Sequence, residues 1–140
     1  MKTLVITQDL LNANGEYIGA DEVSQFDGHI EIAADLGVVK FSAGLRATGR
    51  IRSGAGSGIK AGEGIEAGWG IKAGSGIEAG DGIEAGFSIS AKWVSSRLRI
   101  FAGLCLWRLP RPEEAQIHAE LRSGTIAFGE LVEPEKEAAA

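Results

Sequence analysis

Cysteine is almost missing from this chain of 140 residues: Cys105 stands alone, so no disulfide can form within it, and a reducing compartment is expected. The residue lies in Leu104-Cys105-Leu106, which reads as an apolar strand segment holding a buried, inert thiol. Histidine is scarce too. His29 and His118 are far apart, with no cysteine at ligand spacing, so neither a metal nor a cofactor is expected. No uninterrupted apolar stretch could span a membrane, and the run Leu4-Val5-Ile6 is too short and meets Asp9 too soon for a signal peptide. The expected location is cytoplasmic. An excess of positive charge is also lacking: at a net −5 the chain has no broad attraction to nucleic acid, although basic residues cluster locally.

Glycine, by contrast, is abundant, with 21 residues, and it recurs in register. Gly58-Ile59-Lys60-Ala61-Gly62-Glu63 is followed by the closely matching hexads that begin at Gly64, Gly70, Gly76 and Gly82. A degenerate hexad, Ser88-Ile89-Ser90-Ala91-Lys92-Trp93, comes next. Upstream, the same spacing runs through Val39, Leu45 and Ile51 before a slip of two residues into Ile59. In each hexad an isoleucine and an alanine flank a charge or a serine, the in-out-in alternation of a strand. The Gly-x-Gly that follows is a poor strand former but allows the close backbone approach of a corner. A helix is disfavoured, since each glycine costs about 1 kcal/mol against alanine in a helix interior. Collagen-type packing needs glycine at every third position and fails on spacing.

These hexads resemble the hexapeptide repeats of parallel β-helices, in which roughly three hexads close one coil. The resemblance implies that residues about eighteen apart lie above one another, about 4.8 Å apart along the axis. Ile59 then stacks on Ile77, Ile65 on Ile83 and Ile71 on Ile89. At the corners Trp69 stacks on Phe87, Glu63 on Asp81, and Ser57 and Ser75 lead to Trp93. Lys60 beside Glu78 forms an attractive pair, whereas Glu66 beside Glu84 is repulsive. Left-handed hexapeptide coils place a small residue at the corner positions that here hold Glu63, Trp69, Ser75, Asp81 and Phe87. The in-x-in strand with its Gly-x-Gly corner also resembles the cytoskeletal bactofilins.

The expected fold is therefore all-β: a short single-stranded parallel β-helix, or β-solenoid, of about three hexads per coil over residues 39–93. A β-rich N-terminal cap (1–38) precedes it. C-terminal strands (94–132) cap the coil or form a homodimer, and a frayed acidic tail (133–140) ends the chain. Within the C-terminal part Leu98, Ile100, Ala102, Leu104 and Leu106 read as one strand with two partly apolar faces. Pro110 and Pro112 break it, and 115–121 and 124–128 follow as further strands.

No catalytic constellation emerges. Hexapeptide acyltransferases rely on a histidine base in a cleft between subunits, whereas His29 and His118 read as solvated strand residues. The Gly-x-Gly triplets lack the helix that a phosphate-binding loop needs, and the recurrent outward glutamates are a solvated face. The chain therefore reads as a non-enzyme that binds a protein partner. Its candidate binding residues are Trp69, Phe87 and Trp93 at or near the corners, and Arg97, Arg99 and Trp107 beyond the repeat. Arginine interleaved with aromatics also suits single-stranded nucleic acid, which the net charge disfavours. The repeat is similar to glycine-isoleucine-x-alanine-glycine proteins of bacteriophages and prophages, a resemblance over roughly residues 27–93. It implies an inhibitor of a host defence complex, such as an anti-CRISPR protein. A self-assembling scaffold of bactofilin type is the alternative, and a hexapeptide-type acyltransferase is a further one.

Overall fold

Alternating hexads bounded by glycine leave the chain only short extended pieces, and strands are what form. A computed structural model describes residues 2–133, in which the fold is all-β and one curled, parallel sheet joins thirteen strands. The pairings fall into three ladders. The first contains β1 (Lys2–Ile6), β2 (Gly28–Ile32), β5 (Ile51–Ser53) and β8 (Ile71–Lys72). The second contains β3 (Gly37–Phe41), β6 (Ser57–Ala61) and β9 (Gly76–Ala79), and the third β4 (Leu45–Ala47), β7 (Ile65–Ala67) and β10 (Ile83–Ala85). The chain visits first, second and third ladder in turn and then begins again.

Register follows the hexads. Ile59 pairs with Ile77, Ile65 with Ile83 and Ile71 with Ile89, as the repeat spacing predicts. Each inward column is apolar from rung to rung: Ile30, Ile51, Ile71, Ile89 and Ile117 on the first ladder, and Leu45, Ile65, Ile83 and Ile100 on the third. All of these are at most 1% exposed. Burying an isoleucine side chain contributes about 1.5–3 kcal/mol, so the columns carry much of the stability. The outward charges pair as expected at Lys60 and Glu78, 3.4 Å apart. Glu66 does face Glu84 across the rungs, but Arg46 beneath reaches the Glu66 carboxylate at 2.8 Å and offsets the repulsion.

The two-residue slip before Ile59 is a longer corner. Gly56 sits there at φ 77, above Asp35 at φ 61, and buried serines tie the backbone down. Ser53 Oγ donates to the Ser57 carbonyl at 2.7 Å, while Ser57 Oγ donates to the Ala33 carbonyl and accepts from the Leu36 N–H at 3.0 Å.

Past the repeat, β11 (Ile89–Phe101) runs through all three ladders, and β12 (Gln116–Phe128) follows it course by course. β13 (Glu130–Val132) returns to the first ladder on Gln116–His118. The boundary expected at residue 93 thus falls inside a continuous strand. Two local expectations shift. Lys92, not Trp93, follows Ser75 in its column, because Trp93 pairs with Gly76. The strand expected to continue through Leu104-Cys105-Leu106 ends at Phe101: Gly103 turns at φ 84, Leu104 and Cys105 stay bonded to the corner carbonyls of Ala85 and Gly86, residues 106–111 leave the stack, and Cys105 is half-buried rather than buried. At the other end, residues 7–27 form no long strand and pair with the rung above through Glu16 and Phe26. They cover the core end with Leu11 and Val23. The expected tail falls outside the described residues from 134 onward.

The corner glycines separate into two kinds. A Cβ on Gly86 would lie 2.0 Å from the Gly68 carbonyl oxygen, whereas one on Gly64 would sit 3.4 Å from that of Gly82. Gly86→Ala should therefore cost about 1–3 kcal/mol or more by overpacking, and Gly64→Ala under about 1 kcal/mol, as read by urea unfolding. Ile65→Ala, which opens a cavity in a sealed column, should cost about 2–5 kcal/mol in the same assay.

Candidate functional site

Where the third ladder turns back to the first, successive corners carry Gly49, Trp69, Phe87 and Gly103, linked rung to rung by Trp69 N–H to Gly49 O, Phe87 N–H to Trp69 O and Gly103 N–H to Phe87 O. The expected aromatic column is therefore present, but it is only the base of a larger cluster. After Cys105, residues 106–111 leave the stack and fold back so that Trp107 packs on both rings. Its centroid lies 5.7 Å from Phe87 in an edge-to-face arrangement and 6.4 Å from Trp69. Below, the rung at Gly49 has no side chain, and the His29 imidazole occupies the place where a Cβ would project. Trp69 meets that imidazole edge-on at 4.9 Å. Such aromatic contacts contribute about 0.5–1.5 kcal/mol each.

The loop is held by charge. The Arg108 guanidinium lies 4.6 Å over the Phe87 ring and donates to both carboxylate oxygens of Glu114, at 2.9 and 2.8 Å. Glu114 also accepts from the backbone N–H of Arg111 at 3.1 Å. Arg108 first, and then that N–H, hold the Glu114 carboxyl far below the usual carboxylate range. With its stem fixed this way, the loop points Leu106, Trp107 and Leu109 into solvent, at 100%, 64% and 89% exposure.

Of the residues singled out in the sequence, Trp69, Phe87 and Trp107 come together. Trp93 stands on the second ladder beneath the Arg122 guanidinium, 4.4 Å from its ring. Arg97 reaches toward Asp81 at 3.9 Å, and Arg99 pairs with Thr125 on the third ladder, exposed and apart from the cluster. Repeat spacing does not show the contacts made by His29, Arg108, Glu114 and Arg122, although Arg108 belongs to the arginine run interleaved with aromatics beyond the repeat, and Arg122 lies over Trp93, apart from the cluster. Two coils back from Trp69 the register falls on Gly28, and His29, level with Arg50, reaches the corner because Gly49 leaves it open. The other three depend on the path of a loop and on a bend at Gly124, φ 106, which no periodicity reports.

The site offers little to chemistry. His29 Nδ1 accepts the Arg50 backbone N–H at 2.9 Å, and burial, followed by the Arg50 charge, lowers its pKa, so the ring is a neutral acceptor built into the fold. His118 projects outward beside Ser90. No group of three metal-ligating side chains occurs among the described residues, and no helix there is long and apolar enough to cross a membrane. Beside the aromatic cluster a shallow groove is lined by Arg50, Arg52, Lys72, Trp69, Phe87 and Ser90. Compared with known protein families, curated proteins and solved structures, the chain matches none.

A carboxyl whose folded pKa is depressed contributes its stabilisation above its unfolded pKa and loses it as pH falls through the folded one. Glu114 should therefore hold the loop from neutral pH down through the ordinary carboxylate range and release it only in stronger acid. In a Trp93→Phe background, acrylamide quenching of tryptophan should stay constant down to about pH 5 and rise well below it. Glu114→Gln should show the raised quenching already at neutral pH.

Proposed function

We propose that the curled sheet is a single-stranded β-solenoid and that the chain is a non-enzymatic protein-binding module that docks its partner through the 102–115 loop. One observation carries this reading: Leu106, Trp107 and Leu109 are fully or largely exposed on a loop whose stem is fixed by Arg108 and Glu114. Apolar side chains held outward have no core to fill, and holding them in place removes part of the ordering cost of binding. Tryptophan and arginine set side by side have the composition of interface hot spots. Trp69 and Phe87 serve as the platform beneath. Arg97, Arg99 and Trp93, on other faces, lie outside the docking patch. The small acidic chain and its engaged His29 support a binding role over acyl transfer. The biological role we attach to it is a phage-encoded inhibitor of a host defence complex, of the anti-CRISPR kind, acting in the host cytoplasm.

A second reading has its own observation. β13 covers only Gln116–His118 of β12, so among the described residues no further strand pairs with the outer edge of β12 from 120 to 128. Unpaired edges invite another copy, giving a homodimer or end-to-end stacking of bactofilin type. Light scattering after size exclusion should give at least a dimer mass under this reading, and a strictly monomeric mass removes it.

The docking reading is tested by capture from host lysate with the wild-type chain and with a Leu106→Ser, Trp107→Ala, Leu109→Ser variant. Leu106 and Leu109 face solvent, and the loss of the two Trp107 ring contacts should lower stability by about 1–3 kcal/mol, so the variant should stay folded with a modestly earlier unfolding midpoint and lose the specific partner. Identical partner sets from the two proteins would overturn it.

A further inference from the structure

We propose that the part of the partner lying beside this loop is an acidic, extended polypeptide segment, held in the groove on the first ladder with its carboxylates on Arg52 and Lys72. The proposal rests on the protein-binding reading and names the chemistry of the partner.

In the groove two neighbouring cations are both left without a counterpart. Arg52 and Lys72 stand directly across from one another on adjacent rungs, about 4.8 Å apart, and like charges so placed repel. Glu31 is next in the column, yet its carboxylate is taken by Arg50 at 3.0 Å. Among the described residues neither Arg52 nor Lys72 has a carboxylate within ion-pair distance. Elsewhere on the coil Arg46 is matched with Glu66, Lys60 with Glu78 and Arg97 with Asp81; Lys40, Lys92 and Arg99 lack a carboxylate among the described residues too, but none of them stands across from a second unmatched cation. A chain with net charge −5 thus keeps an unneutralised cationic pair in the groove that the aromatic corner borders. An anionic partner would remove the repulsion and gain two ion pairs at the rim of an apolar contact.

The same surface decides between the two polyanions that could come. Single-stranded nucleic acid needs free aromatic faces on which bases stack. Here Arg108 covers a Phe87 face and Trp69 is packed between His29 and Trp107, so Trp107 is the one ring of the cluster left largely exposed, and it offers no succession of stacking platforms. Leu106 and Leu109, from the loop that seats Trp107 on both groove rings, call for apolar side chains, which a phosphate backbone does not supply. The neighbouring third ladder presents Glu66 and Glu84, which would repel a long polyanion wrapping the coil but leave a short acidic segment undisturbed. An extended peptide alternating acidic and apolar residues meets both the cations and the loop.

The test is fluorescence anisotropy at low salt with the full-length chain. The probes are a labelled peptide alternating glutamate with leucine, a lysine-leucine counterpart and labelled oligo(dT). The glutamate peptide should bind, the lysine peptide should not, and oligo(dT) should bind more weakly than the glutamate peptide. An Arg52→Glu, Lys72→Glu variant, both positions exposed, should unfold at the wild-type midpoint and bind the glutamate peptide about tenfold or more weakly. Equal binding by wild type and this variant, or no binding by wild type, would overturn the proposal. Tighter binding of oligo(dT), lost in the same variant, would overturn it in favour of nucleic acid. If the charge-reversed chain still captures a lysate partner that the loop variant loses, the docking reading stands and the acidic partner falls.

Discussion

The constraint from which the rest of the structure follows is the closeness of one backbone course to the next at the corners. Parallel rungs stack at about 4.8 Å, and at Gly68, Gly80 and Gly86 a Cβ would come within about 2 Å of the carbonyl oxygen of the course beneath. Only glycine permits that approach, and the approach brings the strands of each ladder into register. Once in register, the in-out-in alternation delivers every isoleucine to the same interior column and every lysine or glutamate to solvent. The core is therefore a consequence of the corners as much as of hydrophobicity. A chain with the same isoleucines but alanine corners would have the driving force without the means to close the stack.

The same logic produces the aromatic cluster. A corner that must be glycine at some positions leaves the position between two glycines free, and that side chain points away from the core. Glu63 there is exposed to solvent, and Asp81 faces Arg97. Trp69 and Phe87 are instead partly covered, because two neighbours supply what the coil cannot: an empty rung at Gly49 through which His29 reaches, and a loop that lays Trp107 across both rings. Arg108 and Glu114 then turn a connection into a fixed projection. Its apolar residues point outward because the interior has already been filled by isoleucine and alanine.

Charge is distributed by face rather than by sequence neighbourhood. Lys60, Glu66, Lys72, Glu78 and Glu84 occupy equivalent places in successive hexads, yet they are dealt in turn to the second, third and first ladders, then again to the second and third. Alternation along the chain thus becomes a cationic pair on one face and an acidic pair on another. That sorting is why an overall acidic protein can present a basic groove.

The repeat, its all-β character, the register at eighteen residues and the inward isoleucine columns were all legible in the sequence, because each depends on interactions between equivalent positions of a periodic chain. So was the juxtaposition of Trp69 with Phe87. Periodicity gave no access to anything that depends on one particular path: the end of β11 at Phe101, the bend of β12 at Gly124, the return of 106–111 over the corner, and the partners His29, Arg108, Glu114 and Arg122. Leu104-Cys105-Leu106 shows the limit, since its alternation is that of a strand and a single turn at Gly103 places it on the corner instead, with Leu104 and Cys105 bonded to Ala85 and Gly86. Local pattern determines which residues can stack; which surfaces then meet is decided only when the non-repeating segments are laid over the coil, because those contacts join residues that no spacing relates.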